Sequence, residues 1–372
     1  MIIKENSPHI RRKASVTRMM ADVLIALAPT LIFAFVIYPV QASINLVLSL
    51  FIMNACEFVY VGLRNMMSPD GQKHTFKEKF EHSYKGHYTI NNALTASITA
   101  VIYVLIMPAG APIYAIIIGA LAGIIFGKLV FGGLGSNIFN PAAVGMVFAK
   151  LCFGSQYVIA PSWYFTMPDV AAGATPLGTI NSGNFNNISN YPLLDLFLGR
   201  IPGTLGEVFK ITIIIGLIYL LIRRSIDFRI VASYLGTFIV LMLIAGLSIF
   251  GLNQNINPLT FMAYNLLSGG VLFGAVFMLT DPVTSPINSP SRIIYGMVAA
   301  VLTVFIRLFA ALPEGVGFSI LIANMVAVVL DHYEWSSPKY TWKKFLAMGL
   351  LIVIPALLTF LIIFKGGIYN VG

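Results

Sequence analysis

Three acidic residues in apolar surroundings are the first positions at which this chain can do chemistry. Glu57 lies about two turns inside a long apolar run, and an ionised carboxylate at the centre of a bilayer costs about 2.5–3.5 kcal/mol even on the lenient insertion scale. A residue kept there at such a cost reads by default as part of an ion path or as a polar partner inside a helix bundle. Asp281 and Asp331 stand at the ends of apolar runs, where a charge reaches water at far lower cost. For these two an interfacial residue and a functional one are equally good accounts.

Two polar stretches offer other chemistry. The run Gly132-Gly133-Leu134-Gly135-Ser136-Asn137-Ile138-Phe139-Asn140-Pro141 ends on an asparagine that can cap the next helix and a proline suited to its first position. Capping leaves Asn137 and the clustered glycines unexplained. A glycine-lined entrance with two amides also admits a planar heteroaromatic ligand, although capping alone is the simpler account. The second stretch, Asp169-Val170-Ala171-Ala172-Gly173-Ala174-Thr175-Pro176-Leu177, sets one hydroxyl in open backbone and on its own reads as an ordinary turn. HExxH, GxSxG, Walker A and strand-bounded GxGxxG patterns are absent, so hydrolase and nucleotidase readings fall away. Cys56 and Cys152 sit in apolar runs as packing residues, too few for a disulfide framework, a CxxC pair or an iron–sulfur ligand set.

The elements that must hold these residues are set by hydropathy. Of 372 residues, 58% are apolar and 10% charged, against about 25% charged in soluble domains. The apolar residues form runs of roughly 20, enough to cross ~30 Å of hydrocarbon. They lie at about 20–40, 43–63, 90–108, 112–131, from Pro141 onward, and at about 207–222, 228–250, 262–280, 292–311, 315–331 and 345–364. The turn Pro108-Ala109-Gly110-Ala111-Pro112 joins the third to the fourth. Val40-Gln41-Ala42 faintly resembles a signal-peptidase site, but the run before it is too long for a signal peptide, and the first span is expected to stay uncleaved. The expected fold is an all-α polytopic membrane protein of about ten spans in two inverted halves, with an extra C-terminal span. Its expected parts are a cytoplasmic tail at 1–18, a membrane domain at 19–335 with a long outer loop at 154–206, and a linker with an extra helix at 336–372.

The net charge of +9 would suggest a nucleic-acid partner in a soluble chain. Here the basic residues sit in short loops and report topology instead. With a cytoplasmic N-terminus, 18 of 23 fall inside, Lys128 among them, and only Lys150, Arg200, Lys210, Arg307 and Lys365 fall on or near the outer side. Spans one to five then begin inside and spans six to ten outside, an arrangement that suits an inverted repeat with a site between the halves.

Four of these segments, in this order and spacing, resemble the family that contains the D subunit of the Rnf complex and the B subunit of the sodium-pumping NADH:quinone oxidoreductase. They are Gly127-Lys128 through Asn140-Pro141; Gly173-Ala174-Thr175-Pro176-Leu177; Leu266 to Ser285, with Thr280-Asp281-Pro282-Val283-Thr284; and Pro313-Glu314-Gly315 leading to Ala323-Asn324 and Asp331. The likeness spreads over about residues 8–335. It implies FMN joined to Thr175 through a phosphoester, with Asp169, Gly173 and Ala174 around it, made by a separate flavin transferase; Ala172 stands where the family prefers a hydroxyl residue. It also implies non-covalent riboflavin at Asn137, Asn140 and Thr99, and an ion path through Glu57, Asp281 and Asp331.

The implied function is that of a membrane subunit, acting only with the other Rnf subunits in a bacterial or archaeal plasma membrane. It would pass electrons between ferredoxin and NAD through the flavins, coupled to Na⁺ or H⁺ movement. The short polar lead before the first span favours the D-type branch over the quinone-reducing B type, which carries a long N-terminal extension. A flavin-free secondary transporter remains as the alternative from another class, since inverted topology, interrupted spans and Glu57 suit it as well.

Overall fold

The computed structural model describes residues 16–67, 84, 87–157, 177, 192–201, 203–207, 209–252, 257–310, 315–332, 335 and 337–366. These residues are helical almost throughout, and the sole extended pairing among them is an isolated bridge between Pro108 and Thr204. In chain order the helices are α1 (Val16–Ile37), α2 (Pro39–Met66), α3 (Ile90–Ile106), α4 (Ile113–Gly127) and α5 (Pro141–Phe153). Then come the short α6 (Leu193–Leu198), α7 (Lys210–Arg223), α8 (Phe228–Leu252), α9 (Pro258–Leu267) and α10 (Val271–Met278). Finally, α11 (Ser289–Phe309), α12 (Val316–Leu330) and α13 (Trp342–Gly366) close the chain.

The chain is an all-α polytopic membrane protein, but its segments are less uniform than the hydropathy suggests. Among the described residues, six helices are long and apolar enough to cross a bilayer: α1, α2, α4 with the turn that follows it, α8, α11 and α13. The remaining apolar runs fold as shorter helices because polar or glycine-rich backbone stops them early. The run at 262–280, expected as one continuous span, is two helices bent by 61°. Gly269 causes the break, since its φ of +68° is left-handed backbone that residues with a Cβ adopt at a cost. The Ser268 N–H and hydroxyl both turn back to the Tyr264 carbonyl and close off α9. Beyond the break, α10 finishes in a π-helical turn over Gly274–Met278.

Small residues bring two of the helices into close contact. A Cβ added to Gly123 would come within 2.8 Å of the Pro141 carbonyl oxygen, and one on Gly145 within 2.6 Å of the Gly119 carbonyl oxygen. In lipid, where apolar surface gains little by leaving apolar solvent, such close backbone packing supplies much of the association. It presses the start of α5 against α4 and so fixes the loop between them. The end of the long polar loop returns to α3, with Gly206 N–H donating to the Leu105 carbonyl at 2.7 Å and Leu205 N–H to the Met107 carbonyl at 3.2 Å. The additional C-terminal helix is present as α13, which lies against α8 and α11.

Four cations depart from the charge count. Lys210 and Arg307, assigned to the outer side, are buried at 1% and 0% exposure, and Lys128 and Lys344, assigned to inner loops, at 3% and 2%. The count treats every cation as seeking water, whereas these four end on carbonyls or a carboxylate of the protein itself. Cys152 also departs from its expected packing role, since it is exposed on α5, while Cys56 is half-buried.

Candidate functional site

A narrow cleft opens where five segments meet: the start of α1, the middle of α3, the glycine-rich loop before α5, the end of α7 and the end of α10. The walls of this slot enclose about 810 Å³ of atom-free space, counting the open mouth. It is lined by apolar side chains, among them Met20, Val23, Ile98, Ile102 and Phe277, and by polar ones, Thr95, Thr99, Asn137, Asn140, Thr280 and Asp281. Binding sites for flat organic ligands combine such walls with a few placed polar groups.

The local sequence explains the slot. Gly132, Gly133 and Gly135 take φ values of +115°, +90° and +80°, so the loop folds back on itself where a chain of ordinary residues would continue outward. Asn140 ends the fold-back as anticipated: its side-chain oxygen accepts from Ala142 N–H at 3.1 Å and Ala143 N–H at 3.3 Å, with Pro141 first in the helix. Its amide nitrogen donates to the Met278 carbonyl at 3.3 Å, and its own backbone N–H donates to the Asn324 side chain at 3.1 Å. Asn140 thus pins α5, α10 and α12 together, and its amide is committed to that task. Asn137 donates to the Phe139 carbonyl at 3.1 Å, and Thr99 to the Thr95 carbonyl at 2.9 Å.

One wall carries a buried ion pair. Glu57, at 0% exposure, lies 3.0 Å from the Lys128 ammonium through Oε2, while its Oε1 accepts from the Asn92 amide at 3.2 Å. Lys128 also donates to the Thr95 hydroxyl at 2.9 Å and itself lines the cleft. Of the two readings of Glu57, the polar partner in the bundle is therefore realised, and that partner touches the site. Lys128 was missed in the sequence because it lies at a helix end, where a lysine usually reaches water.

The two aspartates bracket one loop. Asp281 accepts from Val283 N–H at 3.2 Å and the Thr284 hydroxyl at 3.3 Å, and Asp331 accepts from Ile287 N–H at 3.0 Å. Asp281 lines the cleft and Asp331 does not. Burial pushes the Asp281 carboxyl above the usual aspartate range, against the opposing pull of Val283 N–H, the Thr284 hydroxyl and the Lys128 charge. A fourth acid escaped the sequence reading: Asp22, at 2% exposure, takes Arg223 at 3.0 Å, Ser225 at 2.8 Å and Tyr219 at 3.2 Å, clasping α1 to α7 beside the cleft. Its position in the first apolar run was the available signal.

Thr175, Asp169, Gly173 and Ala174 lie outside the described residues. Leu177 is described, and it is buried against the helix break: a Cβ on Gly269 would fall 2.6 Å from its Cδ1. Around that break Lys210 donates to the Glu207 and Gly269 carbonyls and Arg307 to the Asn265 carbonyl, with the Arg307 guanidinium 5.5 Å from the centre of the Phe238 ring. Lys210 opens α7 beside the break and Ser225 follows its end in the cleft, while α10 runs from Val271 next to the break to Phe277 in the cleft wall, about 9 Å of helix.

Residues 3–339 match the model of the NQR2, RnfD, RnfE family. The chain is 37% identical over 240 residues to the B subunit of the Na(+)-translocating NADH-quinone reductase of Chromohalobacter salexigens, covering 63% of this chain and 57% of that one. It is 34% identical over 242 residues to the corresponding B subunit of Pseudomonas aeruginosa, covering 63% and 58%. It is 30% identical over 330 residues to the D subunit of the Na(+)-translocating ferredoxin:NAD(+) oxidoreductase complex of Acetobacterium woodii, covering 88% and 92%. The chain thus spans somewhat under two thirds of the B subunits it matches and nearly all of the D subunit.

Proposed function

The chain belongs to the NQR2, RnfD, RnfE family, and from that premise we propose that it is the D-type membrane subunit of an ion-translocating ferredoxin:NAD oxidoreductase. In this reading it carries FMN esterified to Thr175 by a separate transferase and holds riboflavin, without a covalent link, in the slot between the glycine loop and α10. The observation that carries the reading is the slot itself. Thr99, Asn137, Asn140 and Asp281, drawn from separate stretches of sequence, line one cavity that joins apolar walls to a few polar groups, the composition a flat ring needs.

The ring, when bound, supplies the electron-carrying chemistry. The protein supplies position and charge. Asn137 and Thr99 line the slot, and Asn140 ties the start of α5 to the end of α10. The first turn of α5 borders the slot through Asn140 and Pro141, and the partial positive charge of a helix N-terminus favours electron-rich occupants there. Glu57, paired with Lys128, and Asp281, which lines the slot, offer carboxylates for a passing cation, with Asp331 at the loop that follows.

The match over 92% of the ferredoxin-linked subunit favours the D type, whereas the higher identity to the B subunits covers only 63% of this chain. Fluorescence of the denatured band on a gel tests the reading. Co-expression with the transferase should give a flavin-bright band, and a dark band would favour a flavin-free transporter.

A further inference from the structure

The Glu57–Lys128 pair has an ordinary explanation, in which a lysine at the end of α4 balances the helix dipole and shields an acid. That account leaves out where the lysine stands. Its ammonium lies between the Glu57 carboxylate at 3.0 Å and the Thr95 hydroxyl at 2.9 Å, both Lys128 and Thr95 line the slot, and Glu57 does not. Asp281 lines the same slot. One buried cation therefore faces a fixed acid on one side and the ligand cavity on the other.

We propose that Lys128 is a positioning residue shared between Glu57 and the occupant of the slot, so that reduction of the bound ring and cation uptake at Glu57 favour each other through this one ammonium. The inference rests on the reading that riboflavin fills the slot. Two electrons from the low-potential donor and one proton, added to a neutral ring, leave one net negative charge. Lys128 then has two anionic neighbours. As its ammonium turns toward the slot, Glu57 loses part of its counter-charge in a place where an unpaired carboxylate is costly, and a Na⁺ or H⁺ entering beside it restores the balance. Linkage makes the effect reciprocal: the factor by which reduction tightens cation binding is the factor by which the cation favours the reduced ring.

The test uses the full chain in detergent in a Thr175→Ala background, so that riboflavin is its sole expected flavin, with spectral redox titration in NaCl and in choline chloride, each at two pH values. Replacing choline by Na⁺, or lowering the pH beyond the ring's own proton uptake, should favour the reduced ring about tenfold, or ~30 mV for a two-electron couple. The paired change Lys128→Met with Glu57→Gln removes both charges, leaves no orphan, and should retain riboflavin while abolishing that response. Lys128→Arg should retain both riboflavin and the response, which keeps the proposal open to refutation if the paired variant does not fold. Riboflavin bound with an unchanged cation response in the paired variant, a response lost in Lys128→Arg with riboflavin still bound, or no cation response in the parent protein would each overturn the inference. Absence of riboflavin from the parent would instead overturn the reading it rests on.

Discussion

Two places in this bundle interrupt a helix inside the membrane domain, and they are finished in opposite ways. At the break between α9 and α10 the chain exposes carbonyls, the negative end of a half-helix, and covers them with its own buried cations, Lys210 on Gly269 and Arg307 on Asn265. At the start of α5 it presents the positive end of a helix, capped only by the neutral Asn140 side chain, and a slot remains beside it. An interruption sealed by its own charged side chains serves the architecture. One left facing a lined cavity has room for a guest.

The largest expected effect separates the two ends by flavin chemistry. Thr175→Ala should abolish covalent FMN completely and leave the non-covalent flavin in place, because the slot is lined by other stretches of the chain and loses nothing with that hydroxyl. Acid extraction of the purified variant, comparing released with protein-bound flavin, measures both, and bound FMN persisting in it would move attachment to another hydroxyl such as Thr179 or Ser182.

Next in size is Glu57→Gln, which keeps volume and the Asn92 contact but removes the charge facing Lys128. Ion-coupled turnover should fall about tenfold, equivalent to ~1.4 kcal/mol of barrier, with flavin content nearly unchanged. Equal loss of both in reconstituted vesicles would make the pair purely structural and erase the contrast between the two ends.

A smaller effect is expected at the sealed interruption. Gly269→Ala puts a Cβ on left-handed backbone and against Leu177, a strain of about 1–2 kcal/mol. Thermal unfolding in detergent should shift downward while riboflavin retention at the other end holds; parallel loss of riboflavin would mean that the two ends are not independent.

The smallest expected change is in the slot's lining. Thr99→Val removes one hydroxyl and should weaken riboflavin retention by only a few-fold, in keeping with the ~0.5–1.5 kcal/mol of a single hydrogen bond. Dialysis against flavin-free buffer measures it, and unaltered retention would remove Thr99 from the site.

How legible all this was in the sequence follows from distance along the chain. The Asn140 cap is a local matter, two or three residues reaching forward, and the Asn-Pro pair announced it. The break at Gly269 was written as Ser-Gly-Gly within an apolar run, a signal that hydropathy averaging smooths away. The Glu57–Lys128 pair joins α2 to the end of α4, so neither residue carries a mark of the other, and only packing reveals it. The burial of Arg307 was hidden for a related reason: charge-based topology says which side a cation is near, not whether carbonyls have already claimed it.

The helix α13 carries a different lesson, about assembly. It rests on α8 and α11 with only 17% of its apolar stretch buried, and it presents residues such as Phe345, Leu357 and Phe364 outward. Lipid tails solvate those side chains about as well as neighbouring helices do, so excluded water does little to hold α13 in place. It is a wall held by packing alone. Anything that approaches α8 and α11 from that side, lipid or another protein, meets this wall first, and the directions from which those two helices can be reached are narrowed accordingly.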